Sequence, residues 1–202
     1  IKECVVAIDI KSDTTWATSF QDRQVNILNG ATLTVSVPMA LDTVMMEEDA
    51  QVVFTATEGK LTARSLRFAP LLSATGWKAF GMPFTSAVIK NSTEEEISAP
   101  STQNVDNGIW FARLKDNKTP EFVVDETAFG MAGLWAANGD TYTISSEGAF
   151  EFKTLEEPAA PTETGTFLMC SNPNTFTITL KQSAYILTTD GTSFEQEANP
   201  EI

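Results

Sequence analysis

A stretch near the N-terminus repeats nineteen residues later, and this repeat decides the fold. Val25-Asn26-Ile27-Leu28-Asn29-Gly30-Ala31-Thr32-Leu33-Thr34-Val35 aligns with Val44-Met45-Met46-Glu47-Glu48-Asp49-Ala50-Gln51-Val52-Val53-Phe54. Apolar residues coincide in five pairs: Val25 with Val44, Ile27 with Met46, Ala31 with Ala50, Leu33 with Val52, and Val35 with Phe54. The polar positions between them vary. A period near twenty is typical of one coil of a β-solenoid, in which each coil buries its apolar side on the next.

A third, irregular copy is predicted at Leu61, Ala63, Leu66 and Phe68. Alternation of polar and apolar residues within each copy is the pattern of a half-buried strand. Two pairs of alternating strands with equal lengths would produce the same repeat in an ordinary sandwich. The repeat therefore leaves both a short solenoid and sandwich strands open.

The rest of the chain also has the pattern of short strands. Thr175 to Leu180 alternates, and Asn-Gly or Asp-Gly pairs that favour turns occur at 29–30, 107–108, 138–139 and 190–191. We predict an all-β fold with a short β-solenoid-like or strand-repeat N-terminal part, residues 1–72. An antiparallel β-sandwich module, residues 73–202, is expected to follow it. Its end at Asn199-Pro200-Glu201-Ile202 suggests truncation inside a strand or linker.

Charge excludes one class of partner. The 202 residues include 27 acidic and 13 basic side chains, a net charge of −14. Such a field repels polyphosphates, so we expect no nucleic-acid partner. The chain contains no apolar run long enough for a transmembrane helix.

Histidine is absent from the sequence, which removes catalytic triads and the commonest general base. We therefore expect a protein that is not an enzyme and uses no cofactor. A hydrolase built on paired carboxylates is a remote alternative, with three acidic clusters to supply it. These clusters are Glu47-Glu48-Asp49, Glu94-Glu95-Glu96 and Asp125-Glu126.

Metal and disulfide sites have weak signals. Asp106-Asn107-Gly108 and Asn138-Gly139-Asp140 offer oxygen ligands suited to calcium, but ordinary turn chemistry explains both, and we predict no metal site. Cys4 and Cys170 are either two buried thiols or a disulfide that closes a long loop.

Tryptophan supplies the candidate ligand-binding residues, because exposed indole rings bind sugars when hydrogen-bonding groups flank them. Trp135 lies in the small-residue stretch Ala132-Gly133-Leu134-Trp135-Ala136-Ala137-Asn138, which offers little core to hide it. Trp110, close to Arg113, and Trp16, near a polar turn, are further candidates. Core packing is the alternative for each ring.

The stretch Gly76-Trp77-x-x-Phe80-x-Met82-Pro83-Phe84 resembles a motif of β-rich modules in Bacteroidetes surface and secreted proteins. In those modules a Gly-Trp pair precedes Leu-Pro-Phe. Near the end of this chain, Tyr185, Leu187, Gly191 and Phe194 are similar to a Tyr-x-Leu strand, a turn and a Phe. The departures are Ala79 in place of a hydroxyl residue, Met82 in place of Leu, and a degenerate Gly-x-Pro-Tyr element. The motif residues Gly76, Trp77, Phe80, Pro83 and Phe84 are expected to be structural.

This resemblance implies a secreted or cell-surface location more strongly than it implies a function. We expect a non-catalytic extracellular structural or adhesion module of a bacterial cell-surface protein, whose partners are glycans or host or cell-surface proteins. The alternative is a carbohydrate-binding module that uses exposed aromatic residues.

Overall fold

The computed structural model describes residues 6–55, 60–71, 77–78, 81, 83, 87–97, 109–115, 119–122, 133–136, 140–157, 159, 172, 174–187 and 193–202. Every secondary-structure element in these described residues is a β-strand, which confirms the all-β prediction. The strands are β1 (Ile8–Ile10), β2 (Thr14–Trp16), β3 (Gln24–Ile27), β4 (Thr32–Val35), β5 (Met39–Met46), β6 (Gln51–Phe54), β7 (Leu61–Leu71), β8 (Trp77–Lys78), β9 (Ala87–Lys90), β10 (Glu96–Ile97), β11 (Ile109–Lys115), β12 (Thr119–Phe122), β13 (Gly133–Ala136), β14 (Tyr142–Ser146), β15 (Phe150–Glu151), β16 (Ala184–Leu187) and β17 (Phe194–Glu197).

The first seven strands form two parallel ladders, as a solenoid requires. One ladder runs β1-β3-β5-β7 and the other β2-β4-β6. Val25 pairs with Val44 and Leu33 with Val52, so the register has the shift of nineteen read from the sequence. The solenoid-like N-terminal part is thereby confirmed.

Two of the strand pairs on either side of this repeat have other spacings. Leu66 pairs with Val44, a shift of 22, which is the irregular copy expected from the sequence. Ile8 pairs with Val25, a shift of 17, whereas Thr14 pairs with Leu33, which keeps the shift of nineteen. This first coil lies within the predicted solenoid-like part, residues 1–72, but its register was not predicted, because its β1 half departs from the nineteen-residue spacing.

The side chains that point between the two ladders form the core. Val25, Ile27, Leu33 and Leu66 are fully buried. Because successive residues of a strand point to opposite sides, only every second residue enters this core. Stacking in register then places Val25 on Val44 and Leu33 on Val52, so apolar residues of neighbouring coils cover one another.

The corners between the ladders use left-handed backbone at equivalent places. Gly30 has φ of 73° between β3 and β4, and Asp49, nineteen residues later, has φ of 60° between β5 and β6. The Ala31 amide donates to the Leu28 carbonyl (2.9 Å), and the Ala50 amide to the Glu47 carbonyl (3.1 Å). The turn geometry therefore repeats although the residue at the left-handed position changes.

Strand β7 joins the parallel coils to the antiparallel part. It pairs in parallel with β5 and antiparallel with β14 and β15. Strands β9 and β10 extend the same sheet beyond β14 to eight strands. This sheet crosses the predicted boundary between 72 and 73. The division into those two domains remains a prediction, as does the sandwich.

The C-terminal segment covers the edge of the second ladder at β6. The Val52 amide donates to the Thr175 carbonyl (2.6 Å), and the Thr175 hydroxyl donates to the Val52 carbonyl (2.9 Å). The ring of Phe176 packs edge-on against Phe54, with centroids 6.0 Å apart. The strand predicted from Thr175 to Leu180 is wrong, because this segment bends to reach β6 and only Thr179 forms a bridge, to Glu201.

We expect Gly30→Ala to destabilise the fold by about 1–2 kcal/mol, because an L side chain is strained at positive φ. Steric crowding does not contribute: a Cβ at Gly30 meets no atom within 4 Å in the described structure. Gly30→Asn is the matched control, since Asn tolerates this backbone region and should lose less. Urea unfolding of the three proteins measures the difference. Equal losses for Ala and Asn would contradict the proposed strain.

We expect Thr175→Val to destabilise the fold by about 1–3 kcal/mol, because the Val52 carbonyl loses a donor at a buried site. Thr177→Val is the control: Thr177 is exposed, and it is its backbone amide, not its side chain, that donates to Gln51 Oε1 (3.0 Å). Thermal and urea unfolding provide the comparison. Equal effects of the two substitutions would show that the edge contact is unimportant.

Candidate functional site: the aromatic positions

Trp16 lies in the core of the solenoid. Its residue is 9% exposed, and its ring lies 4.7 Å from that of Phe20, centroid to centroid. Strand pairing places Trp16 beside Val35, which is also buried. This position fits the core alternative, and the ring does not face solvent as a sugar platform must.

Trp110 and Trp135 occupy directly opposite register positions in the four-stranded sheet β12-β11-β13-β8. On its other side Trp135 is paired with Trp77 of the Gly-Trp motif. Three of the four tryptophans thus form one row across three neighbouring strands. The sequence identified these residues separately and contained no sign of the row, because strand register is a long-range property.

The positions on the two faces of this sheet differ in chemistry. Directly opposite residues share a face, and residues two apart along a strand share it too. The tryptophan row therefore shares its face with uncharged residues only: Ala112, Leu114, Pro120, Phe122 and Gly133. Every charged residue of these strands falls on the other face: Lys78, Arg113, Lys115 and Glu121. Ile109, Phe111 and Leu134 share this second face with the charged residues.

The register separates Arg113 from Trp110. The two are three residues apart on β11, so they belong to opposite faces, and Arg113 is paired with Glu121 instead. Odd spacing along a strand was visible in the sequence and could have ruled out a joint site.

The structural motif lies largely outside the described residues. Trp77 is in β8 and Pro83 is half-buried at a bend, whereas Gly76, Phe80 and Phe84 are not described. Cys4, Cys170, Asp125-Glu126 and Asp106-Asn107-Gly108 also fall outside the described residues.

The acidic clusters that the structure describes lie at turns with structural contacts. Glu47 Oε2 accepts a hydrogen bond from the backbone amide of Asn29 in the neighbouring coil (3.0 Å). Glu94 Oε2 lies 3.6 Å from Lys90 Nζ and 3.9 Å from Arg67 Nη2. Among the described residues no group of three or more acidic or cysteine side chains is arranged to hold a metal ion.

Asp140, from the second calcium candidate, accepts hydrogen bonds within the structure. Its Oδ1 accepts from the Thr141 amide (2.8 Å), and the Ser92 side chain is the main cause that lowers the pKa of this carboxyl group. The ionised form is thus stabilised by local donors. Asn138 and Gly139 lie outside the described residues.

Two aromatic residues that the sequence did not propose as ligand-binding sites are exposed. Tyr185 on β16 is 54% exposed and Phe194 on β17 is 56% exposed. Phe194 precedes Glu195, Gln196 and Glu197, and a lone ring in a polar strand was the signal available in the sequence. Together with Val6, they are the large hydrophobic residues that the described structure leaves exposed.

The chain matches no protein-family model, no curated protein and no solved structure. In the described residues no helix is long and apolar enough to span a membrane.

We expect Trp135→Ala to cost about 0.5–2 kcal/mol of stability, because the substitution removes two cross-strand aromatic pairs, with Trp110 and with Trp77. Trp135→Phe should lose less because it keeps a ring, and it serves where the Ala variant fails to fold. Lys115→Ala, on the charged face of the same sheet, is the control and should change stability little. Urea unfolding measures all three. Unchanged stability of Trp135→Ala would instead indicate a ring that stands free in solvent.

Proposed function

We propose that this chain is a non-catalytic structural or adhesion module of a bacterial cell-surface protein, secreted or exposed at the surface. The observation that carries the proposal is strand β7, which belongs to the parallel coils and to the antiparallel strands at once. A hydrogen-bonded sheet that passes from one part to the other makes a stiff connection. Stiffness of this kind suits a building unit of a larger surface protein.

The charged side chains of the solenoid support the same proposal, because they bridge neighbouring coils. Arg64 Nη1 lies 3.2 Å from Asp42 Oδ1, and Arg64 Nη2 forms a second ion pair with Asp22. Gln24 Nε2 also donates to Asp42 Oδ2 (3.4 Å). Exposed pairs of this kind each contribute little, but a network shares the cost of ordering the side chains. These acids thus hold coils together.

The proposal is tested on cells that produce the protein. An antibody raised against the chain should label intact cells, or the protein should be recovered from the culture medium. Antibody access that appears only after lysis would contradict the surface location. A control antibody against a cytoplasmic protein establishes that the cells are intact.

A carbohydrate-binding module with exposed aromatic residues is the second candidate function. Trp16 fits it poorly, since its residue is only 9% exposed, whereas Trp135 and Trp110 occupy opposite register positions in one row. One observation favours the function at a different place: Tyr185 and Phe194 are each more than half exposed.

A further inference from the structure

The C-terminal residues form a two-stranded ribbon whose two ends differ in burial. Near the body, the Ile178 amide donates to the Ile202 carbonyl and the Ile202 amide to the Ile178 carbonyl (2.9 Å each). Leu180 is 5% exposed at this end. Farther along, β16 pairs with β17, and all four residues of β17 are exposed. One end is thus anchored while the other presents its side chains to solvent.

The two exposed rings lie on one face of this ribbon. Tyr185 is paired with Gln196 and Leu187 with Phe194. Tyr185 and Phe194 are therefore diagonal neighbours, a placement in which residues are roughly 7–8 Å apart. Gln196, directly opposite Tyr185, shares the face, so an amide flanks the aromatic pair.

Within the paired residues of β16 and β17, this face carries no charged residue, although the chain as a whole is strongly acidic. Glu195 and Glu197 alternate with Phe194 and Gln196 and belong to the opposite face. The net charge of −14 repels anionic ligands from the molecule. The two rings and the amide thus form an uncharged surface on which a neutral molecule is not opposed by that field.

We propose that the ribbon face formed by Tyr185, Phe194 and Gln196 binds a neutral polysaccharide. The apolar C–H faces of sugar rings pack on exposed aromatic rings, whereas sugar hydroxyls need donors and acceptors of the kind that Gln196 and the Tyr185 hydroxyl supply. This site rests on the carbohydrate-binding function named above as the second candidate. It replaces the tryptophans with residues whose exposure the structure shows.

Affinity electrophoresis and calorimetry of the full chain test the site with soluble mixed-linkage β-glucan, xylan and galactomannan, and with polygalacturonate as an anionic comparison. At least one neutral polymer should bind, and polygalacturonate should not. Tyr185→Ala and Phe194→Ala should each weaken binding about tenfold, the size of one aromatic contact. Glu195→Ala, on the opposite face of the same strand, should bind as the wild type does. Phe194→Tyr keeps a ring and should retain most of the binding.

Unfolding midpoints of the variants should stay close to that of the wild type, because both rings are more than half exposed. Neutral-polymer binding that survives in Tyr185→Ala and Phe194→Ala but is lost in folded Trp135→Phe would overturn this site and leave a carbohydrate-binding module intact. Failure to bind any of the neutral polymers would overturn both. A self-association that light scattering detects and Tyr185→Ala abolishes, without polymer binding, would assign the face to a second copy instead. The surface location is decided separately, by the cell labelling.

Discussion

The stacking of like side chains from coil to coil is the interaction on which this structure depends. One column consists of Ile8, Val25, Val44 and Leu66, and each of these residues is the register partner of the next. The last three members of this column are essentially excluded from water, with Val25 at 0%, Val44 at 1% and Leu66 at 0% exposure. A slip of one residue in any strand would turn its whole apolar set outward, so the columns fix the register of both ladders. The turns between the ladders then only have to place each strand next to its register partner in the neighbouring coil.

The ends of such a stack pose the next physical problem, because an uncovered strand edge leaves backbone groups without partners. This chain covers the far end of each ladder in a different way. The first ladder continues through β7 into antiparallel strands, and Ile144 of β14, fully buried, pairs with Phe68. The second ladder ends at β6, whose Val52 amide and carbonyl are both bonded to Thr175. Residues distant in sequence therefore complete what the repeat begins.

The sequence sufficed to predict what local pattern and period determine. Val25 and Val44 are apolar residues nineteen positions apart, and the same shift of nineteen is the register between β3 and β5. The sequence did not predict the register of Ile8 or the contact of Thr175 with Val52, because both follow from contacts formed only after folding. The same distinction applies to the candidate sites. Residue type drew attention to Trp16, Trp110 and Trp135, but burial and register, which depend on distant strands, decide which rings solvent can reach.

The position of an aromatic residue, more than its size, thus separates a scaffold from a binding surface. A ring such as Trp16 next to Phe20 is already covered, so its apolar area stabilises the fold and is unavailable to a ligand. Tyr185 and Phe194 retain about half of their surface in water, and their burial by a ligand would still be favourable. The negative charge of the chain restricts this favourable burial to ligands without negative charge. For an anionic ligand, repulsion by the carboxylates would oppose the attraction of the two rings. The ribbon needs no hydrophobic core of its own to expose this face. Its base is held by the hydrogen bond between Thr175 and Val52 and by the burial of Leu180.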